Sequence, residues 1–223
     1  RNHLTKELHR APSTTNRHLM SLRKFFAFAT ELQLIPADPT AGVALVADQQ
    51  STQPRALDQQ DVQKLLDAAQ NGSRAGLIRR DVAILQLLTC TGLRVSEVVD
   101  LQKDDLIFGN PGVQLQVGNN PVTGRYIPVP GEVVKNLVDY LDVRPQTGVS
   151  HFFLSQDGGP ISKRTVQRIV SDCAKMAGLP NVSAQVLRRT FALQLLAKTQ
   201  DLALVSKRLG HQTPAITEQY LSL

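Results

Sequence analysis

The sequence lacks the features that mark membrane and secreted proteins. None of its apolar runs approaches the length of a membrane span, and no charged segment followed by an apolar one opens the chain as a signal peptide does. These absences predict a protein of the cytoplasm. The chain begins at Arg1 without a methionine, so we expect a fragment or a processed form of a longer protein.

Cysteine is also scarce, since Cys90 and Cys173 are the two cysteines of 223 residues. Each lies in an apolar helical pattern, and neither has a second Cys or a His nearby at the spacing of metal ligands. The pattern predicts buried, reduced thiols. Neither a metal nor a cofactor is expected.

Long runs of lysine or arginine are missing, although the formal net charge is +6 and the isoelectric point is near 9.6. The basic excess is dispersed along the chain. It is compatible with a polyanionic partner and equally with charge that only keeps the protein soluble. A hydrophobic content of 42% is ample for a core, and 223 residues allow one large or two small domains.

Breaks in the helical pattern divide the chain. Residues 1–44 carry an apolar helical pattern that Pro36 and Pro39 end. Residues 45–56 are mostly polar and aperiodic, which is typical of a linker. Asp58 is then placed to cap the first helix of a second domain. Three cations of the first segment could contact DNA phosphates or could equally form a solvated face: Arg17, Arg23 and Lys24.

The second domain changes from helical to alternating periodicity and back. Residues 80–90 predict a helix central to the core, which Gly92 ends. Alternating apolar residues between 106 and 129 predict a small antiparallel sheet with a hairpin near 118–124. A later helix, capped by Ser162, carries three basic residues that could contact phosphates or solvent: Lys163, Arg164 and Arg168. The expected fold class is mainly α with a small antiparallel sheet (α+β).

Several separated residues suit chemistry on a phosphodiester. Arginines and a histidine can neutralise a pentavalent phosphorus, and a phenol can attack it. Taken singly, each such residue is more simply a surface ion pair, a helix cap or an aromatic at the core edge. Their order and spacing together indicate one shared site. The set is Arg94, Glu97, Arg188, His211 and Tyr220.

In these stretches the chain resembles the tyrosine recombinase (integrase) family. Thr91–Glu97 matches the family's T-G-L-R-x-S-E, Val186–Ala192 matches most of H-x-L-R-H-[ST]-F-A, and Leu209–His211 matches L-G-H. Tyr220 stands nine residues beyond that histidine, where the family has its nucleophile. Four matches in the right order and at the right spacing are far more specific than one short motif.

The resemblance implies a function and a role for each residue. It implies site-specific cleavage and rejoining of duplex DNA through a 3′-phosphotyrosyl intermediate formed by Tyr220. Arg94 and Arg188 would hold the scissile phosphate, and Glu97 would orient the site. His211 would add a hydrogen-bond donor. The partners would be double-stranded DNA and further protomers, assembled as a tetrameric synapse on the nucleoid.

Domain boundaries follow from the same resemblance. Residues 1–44 would be the second half of a helical core-binding domain that clamps DNA, 45–56 the linker, and 57–223 the catalytic domain. The family continues past its tyrosine with a helix that docks on a neighbouring protomer. Because three residues follow Tyr220, we expect this chain to lack that helix.

Two positions depart from the family's pattern. Gln185 stands where the family has a histidine, and its amide can donate to a phosphate oxygen but cannot accept the tyrosyl proton. The family's catalytic lysine lies in the hairpin, whereas residues 118–124 contain no lysine. Arg125 matches the family's arginine after the hairpin, as a candidate DNA contact and a poor proton donor.

These departures leave more than one function open. Loss of one acid–base group typically costs a factor of about 10²–10⁴ in rate, so the chain could be a slow recombinase. It could also be a DNA-binding accessory protein that descends from a recombinase and has lost the chemistry. A third possibility is an enzyme similar to a type IB topoisomerase, which would relax supercoiled DNA without recombinant products.

Overall fold

The computed structural model describes most of the chain, namely residues 10–47, 56–72, 75–110, 112–118 and 124–222. Internal contacts divide it into two compact units, Arg1–Gln53 and Pro54–Leu223. The division falls within the predicted linker, most of which lies outside the described residues. Among the described residues, no helix is both long enough and apolar enough to cross a membrane.

The first unit is built on one long helix, α1 (Pro12–Glu31). Proline suits the start of a helix because its missing N–H would have no intrahelical partner there. The chain that follows is tied back to α1: the Asn16 amide exchanges two hydrogen bonds of 2.8 Å with the backbone of Val46. Several apolar side chains of α1 are exposed, including Phe25 and Phe28.

The second unit is mainly helical. Two of its predicted N-caps are confirmed, since Asp58 accepts a hydrogen bond from the Asp61 N–H and Ser162 accepts one from the Thr165 N–H. Short 3₁₀ helices occur at Ala75–Leu77 and Lys103–Asp105. The α-helices are α2 (Gln59–Gln70), α3 (Ile78–Thr91), α4 (Val95–Asp100), α5 (Gly131–Val143), α6 (Lys163–Met176), α7 (Ala184–Thr199), α8 (Leu202–Leu209) and α9 (Pro214–Ser222).

A three-stranded antiparallel sheet lies between α4 and α5 in the sequence. Its strands β1 (Leu106–Gly109), β2 (Gly112–Val117) and β3 (Arg125–Pro128) pair in the order β1-β2-β3. Leu106, Leu115 and Ile127 stand opposite one another in this register, and all three are buried. The predicted fold class is therefore confirmed, whereas residues 119–123 of the predicted hairpin lie outside the described residues.

Helix α3 is the centre of the second unit, as the apolar pattern of residues 80–90 predicts. It packs against α2, α5 and α7, and its side chains are buried along nearly its whole length. Gly92, at the end of α3, packs against Phe191 and accepts a hydrogen bond from Arg188, so the contact of α3 with α7 brings the stretches around Arg94 and Arg188 together. Cys173 is buried and Cys90 is partly buried, and both are free thiols.

Candidate active site

The predicted catalytic residues come from separate segments that meet in the second unit. They lie at the turn between α3 and α4, in the first turns of α7, just after α8, and on α9. The turn into α4 supplies Arg94 and α7 supplies Arg188. His211 follows the end of α8, and Tyr220 lies on α9.

Arg188 is the buried centre of this cluster. Its guanidinium donates hydrogen bonds of 2.6 Å to the carbonyl oxygens of Gly92 and of Leu209. These carbonyls stand at the C-terminal ends of α3 and α8, where the helices leave acceptors unpaired and carry partial negative charge. Burial, with the nearby Arg94, lowers the pKa of Arg188 to about 10, so the group stays cationic at neutral pH.

Two glycines beside the site allow close packing, one against the Phe191 ring and the other against the Arg125 guanidinium. Gly92 has φ +64°, and a Cβ there would lie 2.3 Å from the Phe191 ring. Gly210 has φ +65°, and a Cβ there would lie 2.8 Å from Nη1 of Arg125. A side chain at either position would therefore be strained and would also push the site apart.

Arg94 stands at the N-cap position of α4 with an accessible side chain. Its backbone N–H donates to Oε2 of Glu97 at 2.7 Å, and its Nη1 donates to Oε1 at 3.1 Å. The side chain is nevertheless 43% exposed. A guanidinium that is anchored on one side and open on the other can still donate to an incoming anion.

Glu97 is the common partner of the arginines. Nη1 and Nη2 of Arg125 donate to its two carboxylate oxygens at 2.9 and 3.0 Å, and the Arg125 side chain is only 9% exposed. Nη1 of Arg188 lies 4.0 Å from Oε2 of Glu97. Burial alone would raise the pKa of Glu97, but the hydrogen bonds from Arg125 and from the Arg94 backbone outweigh it and lower that pKa.

The buried ion pair was not foreseen from the sequence, which suggested Arg125 only as a DNA contact. Its guanidinium also donates from Nε to the Arg208 carbonyl oxygen at 2.9 Å. All three of its nitrogens therefore have partners within the protein. Contact between Arg125 and DNA stays a prediction.

His211 is held between a cation and a hydroxyl. Its Nε2 lies 3.3 Å from Nη2 of Arg188, and its Nδ1 lies 2.8 Å from Oγ1 of Thr217. Burial, together with Arg188, Arg94 and Arg125, lowers the pKa of His211 to about 4, so the imidazole is neutral at pH 7. Sequence reasoning missed Thr217, although it stands one helical turn before the predicted nucleophile.

Tyr220 is half-buried, with its hydroxyl next to Gln185. Nε2 of Gln185 donates to the Tyr220 hydroxyl oxygen at 3.3 Å, and the ring meets that of His211 edge-on at 5.6 Å between centroids. Burial raises the pKa of Tyr220 despite the opposing effect of Arg188, Arg189 and Arg94. Arg189, also missed from the sequence, donates to the Leu221 carbonyl oxygen at 3.2 Å and ties the end of α9 to α7.

The other predicted DNA-binding residues lie on two helices. Lys163, Arg164 and Arg168 occupy the first two turns of α6 with exposed side chains. In the first unit, Arg17 and Lys24 are exposed on α1. Arg23 is half-buried and donates to the Val43 carbonyl oxygen at 2.6 Å, so part of its guanidinium has a partner within the protein.

Comparison with known proteins gives consistent matches. The model of the phage integrase family matches residues 55–223. Tyrosine recombinase XerD of Listeria innocua serovar 6a is 31% identical over 223 residues, which cover 95% of this chain and 72% of that protein. Tyrosine recombinase XerC of Staphylococcus haemolyticus is 32% identical over 215 residues, covering 93% of this chain and 70% of the relative.

Solved structures match over nearly the whole chain as well. A crystal structure of XerA recombinase matches with a TM-score of 0.68 and 26% identity, covering all of this chain and 75% of the other. The Tn1549 transposon integrase, solved in complex with circular intermediate DNA, matches with a TM-score of 0.78 and 23% identity. That match covers 97% of this chain and 76% of the integrase, and it shows a shared fold.

Proposed function

Because the chain belongs to the phage integrase family, and its relatives are tyrosine recombinases, we propose that it cleaves and rejoins DNA strands at specific sites through Tyr220. The observation that carries the assignment of residues is their convergence. Arg94 and Arg188 donate to the neighbouring carbonyls of Gly210 and Leu209. Arg188 contacts His211, whose ring meets that of Tyr220, although these residues are spread over more than a hundred residues of sequence.

In this proposal the two arginines bind the scissile phosphate. The exposed guanidinium of Arg94 meets the phosphate first and donates to a non-bridging oxygen. Arg188 contributes its charge from the buried side, already oriented by the Gly92 and Leu209 carbonyls. Donors that are fixed before the reaction need no reorganisation as negative charge grows on the phosphorus oxygens.

In the reaction, the Tyr220 oxygen forms a bond to phosphorus and the bond from phosphorus to the 5′ oxygen breaks. The tyrosyl proton leaves to water, and the 5′ oxygen takes a proton from water. The product is a 3′-phosphotyrosyl link and a free 5′-hydroxyl. Attack by the 5′-hydroxyl of another strand reverses these steps, so rejoining needs no external energy source.

Proton transfer is where this chain departs from its family, and we propose a slow enzyme for that reason. The amide of Gln185 donates to the Tyr220 oxygen and cannot take its proton. Residues 118–124 contain no lysine to protonate the leaving oxygen. Arg125, the cation that follows them, is engaged with Glu97.

Gln185→His should raise the initial rate of covalent attachment to DNA by about tenfold or more, because an imidazole at this position can accept the tyrosyl proton. The present amide nitrogen already lies 3.3 Å from the Tyr220 oxygen, so the replacement ring starts within reach. The rate is measured as protein–DNA adduct per minute near pH 7. Gln63→His on the exposed face of α2 is the matched control. An unchanged or lower rate in Gln185→His contradicts the proposed cause of slowness.

Contact with DNA would extend beyond the catalytic cluster. We propose that the exposed cations of α6 and α1 bind backbone phosphates, with residues 1–44 as part of a DNA clamp, 45–56 as the linker and 57–223 as the catalytic domain. The division of contacts between Gln53 and Pro54 supports this boundary. Strand exchange between two duplexes needs several active tyrosines, so we propose assembly of four protomers on paired sites.

The central test traps the covalent intermediate. The protein is incubated with fragmented DNA of its source and washed under denaturing conditions, and the retained DNA is sequenced. We expect fragments that share one motif, attached through Tyr220 as shown by mass spectrometry of the digested adduct. The Tyr220→Phe variant should retain none.

Other outcomes of this test identify the alternatives. Salt-sensitive DNA binding without any adduct would contradict the proposal and would point to a DNA-binding accessory protein. An adduct accompanied by relaxation of supercoiled plasmid, but without recombinant products, would indicate an enzyme similar to a type IB topoisomerase.

A further inference from the structure

Helix α9 brings a second polar group to the site besides its tyrosine. Thr217 stands one turn before Tyr220, on the side of the helix that meets His211. Its side chain has no exposed surface, and its hydroxyl lies 2.8 Å from Nδ1 of the imidazole. A threonine hydroxyl buried against a histidine can take part in deciding which ring nitrogen carries the hydrogen.

The contacts of His211 identify its tautomer. Arginine donates hydrogen bonds and cannot accept them, so the 3.3 Å contact with Nη2 of Arg188 requires a lone pair on Nε2. A neutral imidazole with an unprotonated Nε2 carries its hydrogen on Nδ1. That hydrogen points to Thr217, whose hydroxyl oxygen accepts it.

We infer that Thr217 is a positioning residue for His211, and that it holds the ring in the tautomer whose Nε2 accepts a hydrogen bond from the phosphate-binding Arg188. The inference rests on the proposed function of Tyr220. It gives Arg188 a third oriented acceptor beside the carbonyl oxygens of Gly92 and Leu209.

The same tautomer orients Arg188. Its Nη1 donates to the Gly92 carbonyl and its Nη2 to the Leu209 carbonyl, and the lone pair on Nε2 of His211 lies against the same Nη2. An imidazole with its hydrogen on Nε2 would set a donor against a donor and displace the guanidinium from the position in which it meets the phosphate.

Because Thr217 and Tyr220 share one helix, docking of α9 places the nucleophile and sets the tautomer of His211 together.

The tautomer can be measured without DNA. Long-range ¹⁵N–¹H correlation spectra of the whole chain at neutral pH, assigned by comparison with His211→Asn, should show His211 with its hydrogen on Nδ1. In Thr217→Val the ring should shift towards the Nε2–H form, and Thr217→Ser should keep the original pattern. An Nε2–H imidazole in the unmodified protein overturns the inference.

Kinetics then test whether the tautomer matters. These experiments use the DNA recovered in the adduct experiment. The Thr217→Val variant should form the covalent adduct at least about tenfold more slowly than the unmodified protein, and the Thr217→Ser variant should keep most of the rate. Thr30→Val, which removes a hydroxyl bonded to the Phe26 carbonyl in the first unit, is the matched control. Thermal unfolding of each variant checks that the fold is kept.

A double variant separates a direct effect from one that acts through His211. In the His211→Asn background, Thr217→Val should cause no further loss of rate. A Thr217→Val rate within twofold of the unmodified protein, or fully additive losses, would overturn the inference. Failure of the unmodified protein to form any Tyr220 adduct would instead contradict the proposed function, and the tautomer measurement would still stand by itself.

Discussion

Replacing Arg188 with lysine should slow formation of the Tyr220–DNA adduct by about 10²–10³-fold, although the positive charge is kept. The guanidinium reaches the carbonyl oxygens of Gly92 and Leu209 with different nitrogens and still lies against His211. A lysine ammonium is a single point on a flexible stem and cannot span these partners. The phosphate would therefore lose a donor that is oriented before it binds.

The same substitution should also reduce stability. At least one of the two carbonyls at the ends of α3 and α8 would be left buried without a partner, at a cost of about 1–3 kcal/mol. Urea unfolding measures this cost, and adduct formation measures the loss of rate. Arg79→Lys is the matched control, since Arg79 is exposed on the same central helix α3. A rate within tenfold of the unmodified protein would show that charge alone is sufficient at this position.

Local signals in the sequence are enough to predict the elements. Asp58 and Ser162 cap helices because each is a short polar side chain immediately before a helical pattern, and both caps form. Alternation between residues 106 and 129 predicts a small antiparallel sheet, which the structure contains as three strands. These predictions succeed because each depends on residues within a few positions of one another. The candidate catalytic residues are predicted from the order and spacing of their motifs, by resemblance to a family.

Contacts between distant residues could not be predicted in this way. The pair of Glu97 and Arg125 joins a helix to a strand 28 residues later, and the sequence gives no measure of that approach. The contact between Gln185 and Tyr220 spans 35 residues. On α1, apolar periodicity alone predicts a buried face, whereas Phe25 and Phe28 are exposed in the structure. Periodicity identifies a face and does not say what covers it.

The ion pair between Glu97 and Arg125 has the second large effect that we predict. Glu97→Gln should lower the free energy of unfolding of the second unit by about 3 kcal/mol at pH 7. The substitution removes the carboxylate charge that compensates a guanidinium whose side chain is only 9% exposed. It also replaces one acceptor oxygen by an NH₂ donor that would face other donors, since both carboxylate oxygens accept from Arg125 and from Arg94.

The pH dependence of this effect has a definite sign. The folded protein lowers the pKa of Glu97, so the carboxylate stabilises the fold fully above its unfolded pKa of about 4.3. That contribution is lost as the pH falls through the lower, folded pKa. Below it, the unmodified protein carries a protonated Glu97, which is close to a glutamine side chain in shape and charge, so the stability difference between the two proteins should narrow.

The measurement is urea unfolding of the unmodified protein and of Glu97→Gln, at pH 7 and at steps below pH 4. It gives the difference in free energy of unfolding between the two proteins and shows whether that difference narrows at low pH. Glu132→Gln, an exposed carboxylate at the start of α5, should cost less than about 1 kcal/mol. Adding Arg125→Met to Glu97→Gln should recover part of the loss, because the guanidinium left without its charge partner is then removed as well. Two results would mean that Glu97 acts through packing. One is a difference in free energy of unfolding between the unmodified protein and Glu97→Gln that is the same at all pH values. The other is a double variant in which the losses of stability from the two substitutions add fully. The Arg94 and Arg188 guanidiniums would then be held in place without its charge.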